Sequence, residues 1–82
     1  MAAKKNEKVV VKSRIADNQM EPAELLGARG IAATGNIVLI FQNSEVIMPG
    51  AWRLHRDLCV GDRVSAYWDD DRRFHLTWED EA

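Results

Sequence analysis

The clearest pattern in the chain is an alternation of apolar and polar side chains in its last third. Apolar residues occupy every second position of two runs, Val64, Ala66 and Trp68 and then Phe74, Leu76 and Trp78. A repeat of two residues is typical of a β-strand with one buried face. The polar residues 69–73 between the runs predict a hairpin loop. The hairpin then places Trp68 opposite Phe74, Ala66 opposite Leu76 and Val64 opposite Trp78, all on one face.

A second hairpin is predicted from two apolar runs around a polar tip. Residues 37–41 read Ile-Val-Leu-Ile-Phe and residues 46–48 read Val-Ile-Met. With residues 43–44 at the tip, Phe41 lies opposite Val46. Both faces of the first run are apolar, so we expect this strand to be covered on both sides. In so small a protein, such cover requires either a closed barrel or a second subunit.

The rest of the chain predicts shorter elements. Residues 8–15 are β-branched and predict a strand. Residues 21–26 predict a short helix, because Pro22 would occupy its first position and acidic residues its first turn. Residues 31–33 predict a short strand. Residues 51–58 predict one or two helical turns, which would lie on a β-barrel through Trp52 and Leu58.

Together these elements predict a mainly β fold in one small domain. The expected architecture is a small barrel of five or six short antiparallel strands with one or two short helices. It would be either a swapped-hairpin dimer or a monomer of the OB or SH3-like type. Residues 1–7 predict a disordered basic tail, and residues 8–82 predict the single domain.

Composition limits the classes of protein that fit. The chain has 82 residues, 46% of them hydrophobic, and a net charge of −2. No apolar run is long enough to span a bilayer. Because Cys59 is the single cysteine, no internal disulfide can form, which favours a cytoplasmic location. Its apolar neighbours predict that Cys59 is a small buried side chain. The charge is uneven, being +4 in residues 1–14, −3 in 15–45, +1 in 46–68 and −4 in 69–82.

Motifs for catalysis or for cofactor binding are absent from the sequence. It has no phosphate-binding glycine loop, no paired metal-ligand motif and no nucleophile elbow. His55 and His75 are isolated, whereas a metal site needs three or four converging ligands. We therefore predict a protein that is not an enzyme and has no cofactor. Trp52 is a candidate for stacking on bases.

The stretch 44–78 resembles the swapped-hairpin DNA-binding domain of AbrB, SpoVT and MazE-type antitoxins. The residues that fall into that family's frame without a gap are Val46, Met48, Pro49, Arg53, Leu58, Gly61, Asp62, Val64, Asp69, Asp71, Phe74 and Leu76. The family's turn glycine is Ser44 here, and one of its leucines is Arg56. The resemblance implies an intertwined β dimer that binds DNA through arginines and acts as a prokaryotic repressor or antitoxin. Arg53 is the family arginine in this chain.

Two other interpretations remain open. Residues 37–43, 49–53 and 58–62 are similar to the OB-fold of bacterial translation initiation factor one, which implies RNA binding on a strand face. The other interpretation is a protein-binding module or inhibitor of phage or plasmid origin, with its acidic C-terminus as the contact surface.

The preferred prediction is a small regulator that binds nucleic acid, with DNA favoured over RNA and without a membrane contact. A homodimer is one of the two assemblies that this prediction allows. The residues predicted to contact nucleic acid are Arg53, Arg56, Trp52, Lys8, Lys12 and Arg14.

Overall fold

The computed structural model describes residues 18–82, and these residues are mainly β. Its strands are β1 (Asn18–Glu24), β2 (Gly27–Gly30), β3 (Ile37–Ile40), β4 (Glu45–Met48), β5 (Arg63–Trp68) and β6 (Phe74–Trp78), and a short 3₁₀ helix follows at Glu79–Glu81. They form two three-stranded antiparallel sheets, with strand orders β1-β5-β6 and β2-β3-β4. The predicted mainly β class is therefore confirmed. Across residues 18–82 the two sheets do not close into one barrel.

One stretch of chain connects the two sheets. It consists of strands β1 and β2 with Leu25 and Leu26 between them, and we call it the long strand. Strand β1 pairs with β5 and strand β2 pairs with β3. The change of partner occurs between Leu25 and Leu26. The Leu25 N–H donates to the carbonyl of Asp62 at 2.8 Å, and the Leu26 N–H donates to the carbonyl of Ile40 at 2.8 Å. A strand that changes sheets in this way forms a corner in small β proteins.

The helix predicted for residues 21–26 is wrong, because this segment is part of the long strand. Gln19 pairs with Ala66 and Ala23 pairs with Val64, so three residues of β1 oppose the single residue Ser65. Pro22 lies in this bulge, where a missing backbone N–H interrupts no regular ladder bond. Proline here therefore indicates a β-bulge rather than the first turn of a helix.

The hairpin of β5 and β6 has the predicted register. Val64 pairs with Trp78, Ala66 with Leu76, and Trp68 with Phe74. The Val64, Ala66, Phe74 and Trp78 side chains are buried, whereas Trp68 and Leu76 are half-buried at one side of the core. The strict alternation fixed this register, because a slip by one residue would expose every apolar ring.

The hairpin of β3 and β4 forms as predicted, but its register differs by two residues. Leu39 pairs with Val46, and the Phe41 N–H donates to the carbonyl of Ser44 at 2.8 Å. The tip is therefore residues 42–43, one position earlier than expected. A shift of two residues keeps every side chain on the same face, so the hydrophobic pattern could not distinguish the two registers.

The other predicted elements either differ from the structure or lie outside the described residues. Residues 31–33 lie in a turn rather than a strand, and residues 51–58 contain no helix. Cys59 is exposed rather than buried. The predicted strand at residues 8–15 and the predicted tail at residues 1–7 lie outside the described residues.

One hydrophobic core lies between the two sheets. Its buried side chains come from both sheets and from the switch between them, and they are Leu25, Leu39, Phe41, Val46, Met48, Val64, Ala66, Phe74 and Trp78. Two polar contacts join the sheets at the side of this core. The Ser44 hydroxyl contacts the Gln19 amide oxygen at 2.7 Å, and the Trp68 indole N–H donates to the Ile47 carbonyl at 2.8 Å. Among residues 18–82, no helix has the length and apolar character needed to cross a membrane.

Candidate functional site

An open groove with aromatic walls runs beside strand β6. Its volume is about 570 Å³. The side chains that line it are aromatic, apolar or basic for the most part, and they belong to Pro49, Trp52, Trp68, Arg72, Arg73, Phe74, His75, Leu76 and Thr77. We call this concavity the aromatic groove. It brings the rings of Trp52 and Trp68 together with the cationic side chains of Arg72 and Arg73.

Trp52 reaches the aromatic groove from the irregular segment that follows β4. The turn begins at Pro49, whose carbonyl accepts the Trp52 N–H at 3.0 Å. The Trp52 ring then packs edge-on against Phe74, with ring centroids 5.3 Å apart and an interplanar angle of 87°. Because 39% of Trp52 is still exposed, part of its ring is available to a ligand.

Trp68 forms the other aromatic wall. Its ring lies 5.4 Å from Phe74 at an interplanar angle of 57°, so Phe74 is flanked by two tryptophans. The indole N–H is already used by the Ile47 carbonyl, which fixes the orientation of the ring. The sequence predicted Trp68 on the apolar face of its hairpin, and that face continues from the core into the groove.

The loop between β5 and β6 is organised by the carboxylate of Asp69. One oxygen accepts the backbone N–H groups of Asp71 at 2.8 Å and Arg73 at 2.9 Å. The other accepts the Nε2–H of His75 at 2.8 Å. The hydrogen bond from His75, followed by the one from Arg73, holds the pKa of Asp69 below its ordinary value. His75 in turn stacks on Tyr67, with ring centroids 4.8 Å apart.

Arg72 occupies an unusual backbone conformation in this loop. Its φ is 65°, in the left-handed region, and its N–H donates to the Asp69 carbonyl at 3.0 Å. Three-residue hairpin loops place a left-handed residue at this position, and glycine is normally favoured there. An arginine here keeps a cationic side chain at one end of the aromatic groove. Residues 69–73 were predicted only as a hairpin loop, and Arg72 was not among the predicted site residues, although the absence of glycine in the loop was a usable signal.

Arg56 is held by acidic residues from the end of the described chain. Its guanidinium contacts Glu81 at 2.6 Å and Asp80 at 3.2 Å, and it lies 4.5 Å above the ring of Trp78. The hydrogen bond to Glu81 raises the pKa of Arg56 and lowers that of Glu81. Arg53 is exposed in the same irregular segment. The two predicted arginines therefore have different surroundings.

The other predicted contacts, Lys8, Lys12 and Arg14, lie outside the described residues. Among residues 18–82, no group of three or more histidine, cysteine or acidic side chains converges to hold a metal ion.

Comparison of the chain with protein-family models, curated proteins and solved structures found no match. The function of the chain is therefore inferred from its own geometry.

Proposed function

We propose that this chain is a small non-enzymatic regulator that binds nucleic acid by holding a single strand in the aromatic groove. Bases would stack on the exposed parts of Trp52 and Trp68, and phosphates would lie against Arg72 and Arg73. Aromatic platforms beside cationic side chains are a common way to bind single strands with little sequence preference.

The observation that carries this proposal is the backbone conformation of Arg72. A non-glycine residue in the left-handed region costs about 1–2 kcal/mol, and Arg72 has a φ of 65°. Strain of this kind concentrates at functional sites. Because a glycine would relieve the strain and remove the charge, an arginine at this position supports a binding role for its guanidinium.

The positive charges of Arg72 and Arg73 are available to a ligand. The carboxylate of Asp69 is engaged by two backbone N–H groups and by His75. Among residues 18–82, no carboxylate lies within ion-pairing distance of Arg72 or Arg73. Asp70 and Asp71 are exposed in the same loop, so the groove suits contact with a few phosphates rather than with a whole duplex.

The distribution of charge over the chain supports a two-part binding mode. Residues 18–82 carry six arginines against eleven acidic residues, whereas residues 1–17 carry five basic residues against two acidic ones. Within residues 1–17, Lys8, Lys12 and Arg14 would add sequence-independent phosphate contacts to the stacking in the groove.

The same proposal includes a small barrel of the OB or SH3-like type. In support, one long strand serves both sheets, and the Ser44 and Trp68 side chains bridge the sheets. Small antiparallel barrels bend their strands between sheets in this manner. The duplex-DNA version instead requires a swapped-hairpin homodimer and Arg53. Light scattering separates the two versions, because only the second requires a stable dimer.

The Arg72→Gly variant tests the proposed site. It should unfold at a higher urea concentration, because glycine removes about 1 kcal/mol of backbone strain. It should also bind a labelled single strand of roughly twelve nucleotides, a length within the ~4–16 that one OB-fold covers. The expected affinity is about ten-fold weaker because one phosphate contact is lost, which corresponds to about 1.4 kcal/mol. Fluorescence anisotropy at two salt concentrations measures the affinity, and the salt slope should fall by ~0.7.

Two further variants complete this test. Trp52→Ala should lose roughly 1–3 kcal/mol of binding, the usual contribution of one stacked base. Arg29→Gln is the matched control, because it also removes one exposed arginine. Arg29 contacts Glu45 within the β2-β3-β4 sheet and does not line the aromatic groove. Equal affinities for Arg72→Gly and Arg29→Gln would show that the groove is not the binding site. Absence of binding to DNA and RNA by the unaltered chain would leave a protein partner as the alternative.

A further inference from the structure

The end of the described chain folds back over a basic site. Residues Glu79–Glu81 form a 3₁₀ turn directly after β6. From this turn, Asp80 and Glu81 contact the guanidinium of Arg56 at 3.2 and 2.6 Å. The second oxygen of Glu81 contacts Nε2 of His55 at 2.8 Å. Two carboxylates therefore occupy the space in front of one guanidinium and one imidazole.

Trp78 anchors the basic side of this contact independently of the carboxylates. The Arg56 guanidinium lies 4.5 Å from the centre of the Trp78 ring, and His55 packs edge-on against the same ring at 5.2 Å. Trp78 itself is 2% exposed and belongs to the core. Arg56 and His55 therefore have a contact with a core side chain that does not involve the carboxylates.

This basic site is continuous with the aromatic groove through Trp52. A second concavity of about 400 Å³ lies between the irregular segment and the β2-β3-β4 sheet, and both Trp52 and Arg56 line it. Trp52 also lines the aromatic groove. A strand that stacks on Trp52 can therefore reach Arg56 in the second concavity as well as Arg72 in the aromatic groove.

We propose that Arg56 and His55 form a second phosphate subsite, which the carboxylates of Asp80 and Glu81 occupy in this structure as an intramolecular competitor. This inference rests on the proposed function, since the subsite extends the same binding surface. A guanidinium binds carboxylates and phosphates with similar geometry, so each can replace the other. Exposed ion pairs are individually weak, and the Arg56 side chain is 36% exposed, so a polyanion can displace the acidic turn.

The double variant Asp80→Asn with Glu81→Gln tests this subsite in the full chain. We expect roughly ten-fold tighter binding of the same labelled single strand, because the competitor is lost and one further phosphate is contacted. The salt slope should steepen by ~0.7, the value for one additional phosphate on a single strand. Adding Arg56→Gln to the double variant should abolish both changes.

The matched control is Glu21→Gln with Glu24→Gln, which removes two exposed carboxylates from β1 and changes the net charge equally. If the control tightens binding as much as the double variant does, a general charge effect is responsible and the inference is overturned. If neither the unaltered chain nor the double variant binds a single strand, the proposed function fails instead.

A second measurement covers the case in which the double variant fails to fold. The Arg56 Nε–H resonance of the unaltered chain can be followed by NMR during titration with the oligonucleotide. A shift of that resonance in proportion to binding supports displacement of the acidic turn. Binding that shifts the Trp52 indole resonance and leaves Arg56 unchanged would overturn the second subsite while retaining the groove.

Discussion

A single residue, Asp62, connects three parts of the chain. Its carboxylate accepts the backbone N–H of Cys59 at 3.0 Å and the indole N–H of Trp78 at 3.0 Å. Its carbonyl accepts the N–H of Leu25, where the long strand changes sheets. The hydrogen bond from Cys59, followed by the one from Trp78, lowers the pKa of Asp62. Cys59 is three residues from Asp62, whereas Trp78 is sixteen residues away, and no local pattern in the sequence indicates that second partner.

The lowered pKa of Asp62 predicts a pH-dependent contribution to stability. A carboxyl group whose folded pKa lies below its unfolded value stabilises the fold above the unfolded pKa, about 3.9 for aspartate. That contribution is lost as the pH falls through the folded pKa. Asp62→Asn should therefore be less stable than the unaltered chain at pH 7, and the two should converge at acidic pH. Urea unfolding across this range measures the difference, and a constant difference at every pH would contradict the prediction.

At the scale of elements, two turns dock against each other. Gly50, which follows β4, lies against Gly35 in the turn that precedes β3. A Cβ added at Gly50 would lie 1.9 Å from the Gly35 carbonyl oxygen, and the Gly50 N–H donates to the Asn36 amide oxygen at 3.2 Å. This contact could not be predicted from the sequence, because no local pattern records which turns meet.

This docking predicts a large effect for one small substitution. Gly50→Ala should destabilise the fold by about 1–3 kcal/mol, because backbone atoms must move to admit the methyl group. Gly30→Ala is the matched control, since nothing lies within 4 Å of a Cβ added there. The control should be neutral or gain up to about 1 kcal/mol from a stiffer unfolded chain. Similar midpoints of urea unfolding for the two variants would contradict the docking.

The hairpins show which aspects of an element are legible in a sequence. The β5–β6 register was predicted because a misplaced ring would be exposed. The β3–β4 register was not, because both faces of β3 are apolar and a shift by two residues leaves every face unchanged. The sequence around Pro22 resembles the start of a helix, but Pro22 lies in a β-bulge. Trp52 and Arg56 were both named as candidate site residues, whereas the contacts of Arg56 with Asp80 and Glu81 were not predicted, because these residues lie 24 and 25 positions away.

At the scale of the whole molecule, the two sheets share one core and one long strand. Leu25 is 2% exposed and lies where that strand changes partners, whereas its neighbour Leu26 is 49% exposed. Unfolding either sheet would expose the core side chains of the other. We therefore expect residues 18–82 to unfold as one cooperative unit.

Truncation of each leucine tests this cooperativity. Leu25→Ala should cost about 2–5 kcal/mol as a buried truncation, and Leu26→Ala should change stability by about 0.5 kcal/mol or less as a surface substitution. Urea unfolding followed by tryptophan fluorescence and by far-UV circular dichroism should give coincident curves for both variants. Separate midpoints for the two signals would show that the sheets unfold independently.

The shared strand also affects the order in which the fold can form during synthesis. The β2-β3-β4 sheet has all its strands once residue 48 has left the ribosome. Strand β1 must wait for residues 63–68, its pairing partners, before its backbone groups on that side are satisfied. During that interval the nascent chain presents an unpaired edge, which is a site for premature pairing with other chains. The bulge at Pro22 interrupts that edge and makes it a poor template for such pairing.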